Sequence, residues 1–217
     1  MESVLQTLRQ EKIISAIRSQ TGEHISNIVE SLYNGGVKVI EVTMNTPNAL
    51  QKIEKIKVDY PDILVGAGTV LDEETTRAAI SVGASFLLSP TLNEDSIKMA
   101  NRYNVPFIPG VLTPTEVLQA YEYGAKVVKI FPINSLGPKY IKDLKAPLPH
   151  VEVIPMGGIT KENAPDFLKV GSFALGIGST LVNDKLIQDL NFTEIERRAK
   201  QLVNVVRTYQ NVTTTTL

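Results

Sequence analysis

Short apolar runs alternate with amphipathic stretches along the whole chain. The runs are Ile13–Ile17, Val37–Val42, Ile63–Val70, Phe86–Ser89, Pro106–Val111, Val127–Phe131, Glu152–Met156 and Phe173–Ile177. They are rich in β-branched residues and almost wholly apolar, where a half-exposed strand would alternate. Such runs predict strands covered on both faces, as in parallel sheets.

The stretches between them predict helices. Glu23–Asn34 aligns Ile25, Ile28, Val29 and Leu32 on one face. Asp72–Val82 opens with an acidic cap and first turn, Thr115–Tyr123 follows Pro114, and Glu162–Val170 stops at Gly171. These are ordinary start and stop signals for helices. Val4–Arg9 predicts an extra helix ahead of the first strand. Repeated strand–helix units imply parallel strands joined by right-handed crossovers.

Eight such units in 217 residues predict an α/β fold, a (β/α)8 TIM barrel with an extra N-terminal helix. An open doubly wound sheet is the alternative. With no linker and no shift in composition, residues 1–210 read as one domain. Residues 211–217, NVTTTTL, read as a low-complexity disordered tail.

Composition narrows the function classes. Net charge is −1 with 43% hydrophobic and 21% charged residues, so no basic excess serves a nucleic-acid partner. Cysteine is absent, which excludes disulfides, Cys-ligated zinc and thiol nucleophiles. The polar N-terminus lacks a signal-peptide core, and no apolar run approaches ~18 residues. A cytoplasmic protein with no membrane partner is expected. His24, at a helix start, and His150, in the loop before the seventh run, are the only histidines. Neither belongs to a ligand-spaced cluster, so both read as surface residues and no metal site is expected.

In a barrel of this type the chemistry sits at the C-terminal ends of the strands. Lys129 lies within the apolar run Val-Val-Lys-Ile-Phe-Pro. Burial there favours a neutral amine, the nucleophile for a carbonyl, although an ion-paired or outward-pointing lysine fits the same pattern. Lys38, near the start of its run, reads as structural. Glu41 lies late in the second run and suits a general acid/base, with a salt bridge to a neighbouring strand as its alternative. Together, a lysine and a glutamate at one barrel mouth suit imine chemistry. Met156-Gly157-Gly158-Ile159-Thr160 and Gly176-Ile177-Gly178-Ser179-Thr180 close the last two runs. Glycine loops after those strands can cradle a phosphate, or can simply make tight turns.

The motifs GGVKVIEVT, VGAGTVL, LLSP, IPGV, VKIFP, GGI and GIGS occur in order. Through them the chain, from about Ile13 to Val206, resembles the 2-keto-3-deoxy-6-phosphogluconate (KDPG) aldolases. That family includes 4-hydroxy-2-oxoglutarate (KHG) and 2-keto-3-deoxy-6-phosphogalactonate relatives. The resemblance implies a homotrimeric class I aldolase that cleaves KDPG to pyruvate and glyceraldehyde 3-phosphate, without metal or cofactor. It implies Lys129 as the Schiff-base lysine and Glu41 as the proton donor and acceptor. Thr69 and Pro90 would line the pyruvate end, and Gly157, Gly158, Gly178 and Ser179 would bind phosphate.

Two positions depart from the gluconate branch. Asn45 stands where that branch carries a carboxylate-binding Arg, and Arg18, at the end of the first run, resembles the galactonate branch. Asn45 is thus a substrate-side candidate, and Arg18 is expected to supply the cation for the substrate carboxylate. Met156 matches neither branch. Activity on the galactonate epimer or on KHG is therefore the alternative. A phosphosugar isomerase or synthase barrel and a non-catalytic phosphometabolite-binding protein remain as further rivals; neither needs the lysine.

Overall fold

Every one of these apolar runs forms strand in the computed structural model, which describes residues 1–214. The first half of the chain comprises α1 (Glu2–Glu11), β1 (Ile13–Ile17), α2 (Ile25–Asn34), β2 (Val39–Thr43), α3 (Ala49–Asp59), β3 (Leu64–Gly68), α4 (Glu73–Ser81), β4 (Leu87–Leu88) and α5 (Glu94–Arg102). Then follow β5 (Phe107–Ile108), β6 (Gly110–Val111), α6 (Pro114–Glu122), β7 (Val127–Ile130), α7 (Gly137–Lys145) and β8 (Glu152–Pro155). The chain finishes with α8 (Ala164–Lys169), β9 (Leu175–Ile177), α9 (Asp184–Gln188) and α10 (Phe192–Thr214). The fifth apolar run is divided at Pro109, which has no N–H to give to a ladder.

All strand pairs are parallel. One sheet has the order β5-β4-β3-β2-β1-β9 and the other β6-β7-β8. Pro109 alone separates β5 from β6. At the other side, Met156 bridges Gly176 in parallel, and Phe173 N–H donates to Val153 O at 2.8 Å. The fold is α/β, with a curled parallel sheet overlaid by helices.

Capping explains where several helices begin. The Asp72 carboxylate accepts Thr75 N–H at 2.7 Å. Thr113 and Glu116 form a reciprocal capping box at α6, with Pro114 in its first turn. α3, α5, α7, α9 and α10 fill stretches for which the sequence pattern set no helix bounds. In α10, Ile195, Ala199, Leu202, Val203 and Val206 are buried. A Cβ at Gly35 would lie 2.3 Å from Ala199 Cβ, so glycine at the end of α2 permits this helix to pack. α10 continues to Thr214, so residues 211–214 of the expected tail are helical; residues 215–217 of it lie outside the described residues.

The buried apolar residues separate into two layers. The larger lies between strands and helices and includes Ile13, Ile17, Ile40, Val42, Val128 and Ile130. The smaller contains Ile14, Val39, Phe86, Leu88, Ile108, Val127, Ile154, Phe173 and Ala174, joined by Leu5 and Leu8 of α1. It draws on strand positions all round the sheet, and α1 packs against it. Alternate residues of one strand thus belong to opposite layers, as a period of two requires.

Candidate active site

The same period carries the inner face upward to the chemistry. Starting from Val127, the next inward position on β7 is Lys129. On β2, Val39 leads to Glu41 and then Thr43. On β1, Ile14 leads to Ala16 and Arg18, and on β4, Leu88 leads to Pro90. These upper positions line a cavity of about 300 Å³ together with Thr69, Met156, Gly157, Gly158, Gly178 and Ser179. Residues far apart in sequence meet there because each lies on the inner face beyond the apolar layer.

Lys129 is 5% exposed and Glu41 1% exposed. Burial holds the Lys129 amine below the ordinary lysine range, and the Glu41 charge draws it part of the way back. Burial raises the Glu41 carboxyl, and the Lys129 charge pulls it down. For both groups desolvation is the larger influence, so each is pushed toward its neutral form. Among the described residues Glu41 Oε2 has no hydrogen-bond partner. An unpaired buried carboxylate oxygen costs stability, and a role in the chemistry accounts for its being kept. The outward-pointing reading of Lys129 is excluded by its position. Lys38, by contrast, precedes β2 and lies 4.0 Å from the Tyr33 ring centroid, a cation–π contact.

Thr69 has φ 57°, a left-handed conformation that costs a β-branched residue energy. Its place in the cavity lining makes this local strain a feature of the site. Gly157 and Gly158 have φ values of 110° and 69°, so their loop needs glycine. At Gly178 nothing lies within 4 Å of an added Cβ, and its backbone borders open cavity. β1 lies between β2 and β9, so Arg18 stands beside the loop carrying Gly178 and Ser179. Its side chain is solvent-exposed at the rim.

Asn45 lies apart from these residues. Thr46 N–H donates to Thr43 O at 2.9 Å, closing a turn immediately after β2. Asn45 belongs to that turn, is exposed and is absent from the cavity lining. Both histidines are exposed, His150 against Tyr121 and His24 against Phe192. Among the described residues no group of three His, Cys, Asp or Glu side chains could hold a metal ion.

The family model described as KDPG and KHG aldolase matches residues 4–198. The chain belongs to the KDPG and KHG aldolase family. The 2-dehydro-3-deoxy-phosphogluconate aldolase of Haemophilus influenzae is 33% identical over 207 residues, 95% of this chain and 98% of that one. The 2-dehydro-3-deoxy-6-phosphogalactonate aldolase of Escherichia coli is 34% identical over 200 residues, 91% of this chain and 94% of its own. Among solved structures, KDPG aldolase from Legionella pneumophila superposes with a TM-score of 0.85 and 27% identity, covering 92% of this chain and 97% of that one. That structure holds pyruvate captured at low pH as a covalent carbinolamine intermediate.

This family member also has cavity residues that pattern reading missed. Thr43 faces the cavity two residues beyond Glu41, and its hydroxyl donates to Ile17 O at 3.3 Å. The strand period could have found it. Phe131 places its ring centroid 4.7 Å from Lys129 Nζ, again on an alternate position of the same run. Asn183 and Asp184 also line the cavity, and Gln20 Nε2 donates to Asp184 Oδ2 at 3.0 Å. No motif announced these last two. Met156 covers Gly176, where a Cβ would lie 2.8 Å from Met156 Cγ.

Proposed function

We propose that the chain is a class I aldolase cleaving KDPG to pyruvate and D-glyceraldehyde 3-phosphate through an imine on Lys129. The observation that carries this reading is the buried amine of Lys129 facing the same cavity as the buried carboxyl of Glu41. A non-catalytic binding protein would have no use for two costly buried ionisable groups. An isomerase would need no amine nucleophile.

The reaction runs as follows. Neutral Lys129 Nζ attacks C2 of the keto acid, and the carbinolamine loses water to give a protonated imine. The Glu41 carboxylate takes the C4 hydroxyl proton. The C3–C4 bond breaks, its electron pair passing through C3 to the imine nitrogen, and the aldehyde leaves. Glu41 returns its proton to C3 of the enamine, and water hydrolyses the imine to free pyruvate. A carboxyl raised by burial suits both halves of this shuttle, because its affinity for protons lies nearer the working pH. The glycine loops at Gly157–Gly158 and Gly178–Ser179 hold the phosphate. Thr69 and Pro90 flank the pyruvate half, and Arg18 supplies the cation for substrate, with no metal or cofactor required.

The closed (β/α)8 barrel belongs to the same reading. The inner apolar layer supports it, as do the lone Pro109 between β5 and β6 and the link between β8 and β9. Residues 1–210 as one domain, a homotrimer and a cytoplasmic setting complete the proposal. Light scattering tests the trimer. No helix among the described residues is long and apolar enough to cross a membrane.

A second reading, the galactonate epimer as preferred substrate, is favoured by Arg18 lining the cavity while Asn45 does not. The gluconate and galactonate relatives are also about equally similar, at 33% and 34% identity. The deciding experiment is incubation with pyruvate and sodium borohydride, followed by intact mass and peptide mapping. A stable adduct on Lys129 is expected, and parallel assays of the two phosphorylated keto acids then separate the epimers. A folded protein that gives no adduct at saturating pyruvate removes the aldolase reading.

A further inference from the structure

Two asparagine side chains fasten the glycine loops. Asn163 Nδ2 donates to Gly158 O at 3.0 Å, and Asn183 Nδ2 to Ser179 O at 3.2 Å. A peptide whose carbonyl is held on one side presents the next N–H on the other. The N–H groups so turned, of Ile159 and Thr180, take no acceptor among the described residues. Leu181 N–H closes the second loop onto Gly178 O at 3.0 Å.

One chain of bonds crosses both loops and ends outside the substrate cavity. The Thr180 hydroxyl donates to Ile159 O at 2.6 Å, linking the loop after β9 to the loop after β8. Thr180 O accepts from Arg198 Nη1 at 3.1 Å. Arg198 Nε donates to Glu194 Oε1 at 2.8 Å. Glu194 is itself gripped by Arg197 through Nε and Nη2, at 2.6 and 2.7 Å. Its side-chain bonds to Arg197 and Arg198 hold its carboxyl down to about 2, so the anchor stays ionised across the working range. Arg198 does not line the substrate cavity. It lines a separate cavity of about 320 Å³ on the α10 side, and Thr180 borders both.

We propose that Arg198 is a positioning residue for phosphate. Held by Glu194 on α10, it fixes Thr180, and through the Thr180 hydroxyl the two glycine loops keep the spacing that a phosphoryl group requires. This inference rests on the phosphate role proposed for those loops. Arg198 touches no substrate atom; it acts by holding the peptide dipoles in place before the anion arrives. Helix α10 thereby contributes to recognition of the phosphorylated half of the substrate and not to the imine chemistry at Lys129.

The test measures two ligands on one protein. Glycerol 3-phosphate affinity, by calorimetry, reads the phosphate grip, and borohydride trapping of pyruvate reads the imine end. In Arg198→Met the glycerol 3-phosphate dissociation constant is expected to rise about tenfold, the worth of one charge-assisted hydrogen bond. KM for the phosphorylated keto acid rises in step, while kcat and pyruvate trapping stay at the wild-type level. Arg198→Lys, which keeps one donor, recovers part of the affinity. Unchanged affinity in Arg198→Met overturns the proposal, as does a parallel fall in pyruvate trapping, which would mark a general structural role. If Arg198→Met does not fold, Glu194→Gln keeps Arg198 but weakens its anchor, and the same outcomes apply. Wild-type protein that binds glycerol 3-phosphate without trapping pyruvate removes the aldolase reading and leaves this one standing. Wild-type protein that traps pyruvate without binding glycerol 3-phosphate does the reverse.

Discussion

A Cβ atom at Gly68 would lie 1.6 Å from Oε1 of Glu41. The inner position of β3 is therefore the space that the Glu41 carboxyl occupies. β2 and β3 run in register, with Glu41 opposite Gly66 and Thr43 opposite Gly68. Glu41 accordingly leans upward across the neighbouring strand, toward the cavity mouth.

Gly68→Ala forces the Glu41 side chain to move. Proton exchange at the pyruvate methyl, followed by NMR in deuterated water, is expected to fall by about 10²-fold, the usual worth of a well-placed acid/base. Lys129 should still be trapped by borohydride. Normal exchange in this variant would mean that the position of the carboxyl is not critical.

Glu41→Gln tests the coupling of the two buried groups. The glutamate charge raises the Lys129 pKa against the larger lowering by burial. Removing the charge lets the amine fall further, so the midpoint of the trapping rate against pH should move to lower pH. Proton exchange should meanwhile drop by about 10²–10⁴-fold. A midpoint that stays put or moves up would contradict the electrostatic account.

Arg18→Ala removes a charge from the cavity rim. If Arg18 holds the carboxylate, the pyruvate concentration for half-maximal trapping should rise about tenfold, with glycerol 3-phosphate binding unchanged. The opposite pattern would assign Arg18 to the phosphate end, beside Ser179.

Lys129→Met should abolish adduct formation and turnover while circular dichroism stays native, since an unbranched apolar chain fits this site. The stability change has a definite sign. The folded-state pKa of Lys129 lies below its unfolded value, so the unfolded state binds more protons between the two, and stability is lost as pH falls through the folded pKa. Glu41 has the opposite shift: stability is present below its unfolded pKa and is lost as pH rises through the raised folded pKa. Near neutral pH both groups therefore weaken the fold. The double variant Lys129→Met/Glu41→Leu is expected to be about 1–4 kcal/mol more stable than the wild type in denaturant melts. A less stable double variant would show that the pair stabilises the fold.

Most of the strand framework was legible because each strand is buried on both sides. Continuous apolar runs such as Val127–Phe131 leave few other structures open to the chain. The helices were less legible. α3 buries Ala49, Ile53 and Ile56, too few to stand out in a segment crowded with lysine and glutamate. The helical turn at 211–214 was not legible because this stretch lacks apolar spacing, whereas α10 is held by residues one or more turns earlier, such as Val203 and Val206.

By itself the sequence determined which residues could do chemistry: a lysine in an apolar strand, a glutamate late in another, and glycines after the last two strands. Those are local facts, set by residue type and by the two-residue period of a strand. Tertiary structure alone decided which of them meet. Asn45, two residues beyond the strand carrying Glu41, is not among the residues that line the cavity. Phe131 and Asp184 are brought in, and Arg198 reaches the glycine loops from a helix 18 residues beyond Thr180. Such relationships depend on strand register, on where a turn closes and on which helix lies behind a loop. Those are set by packing across the whole chain, and no short stretch of sequence contains them.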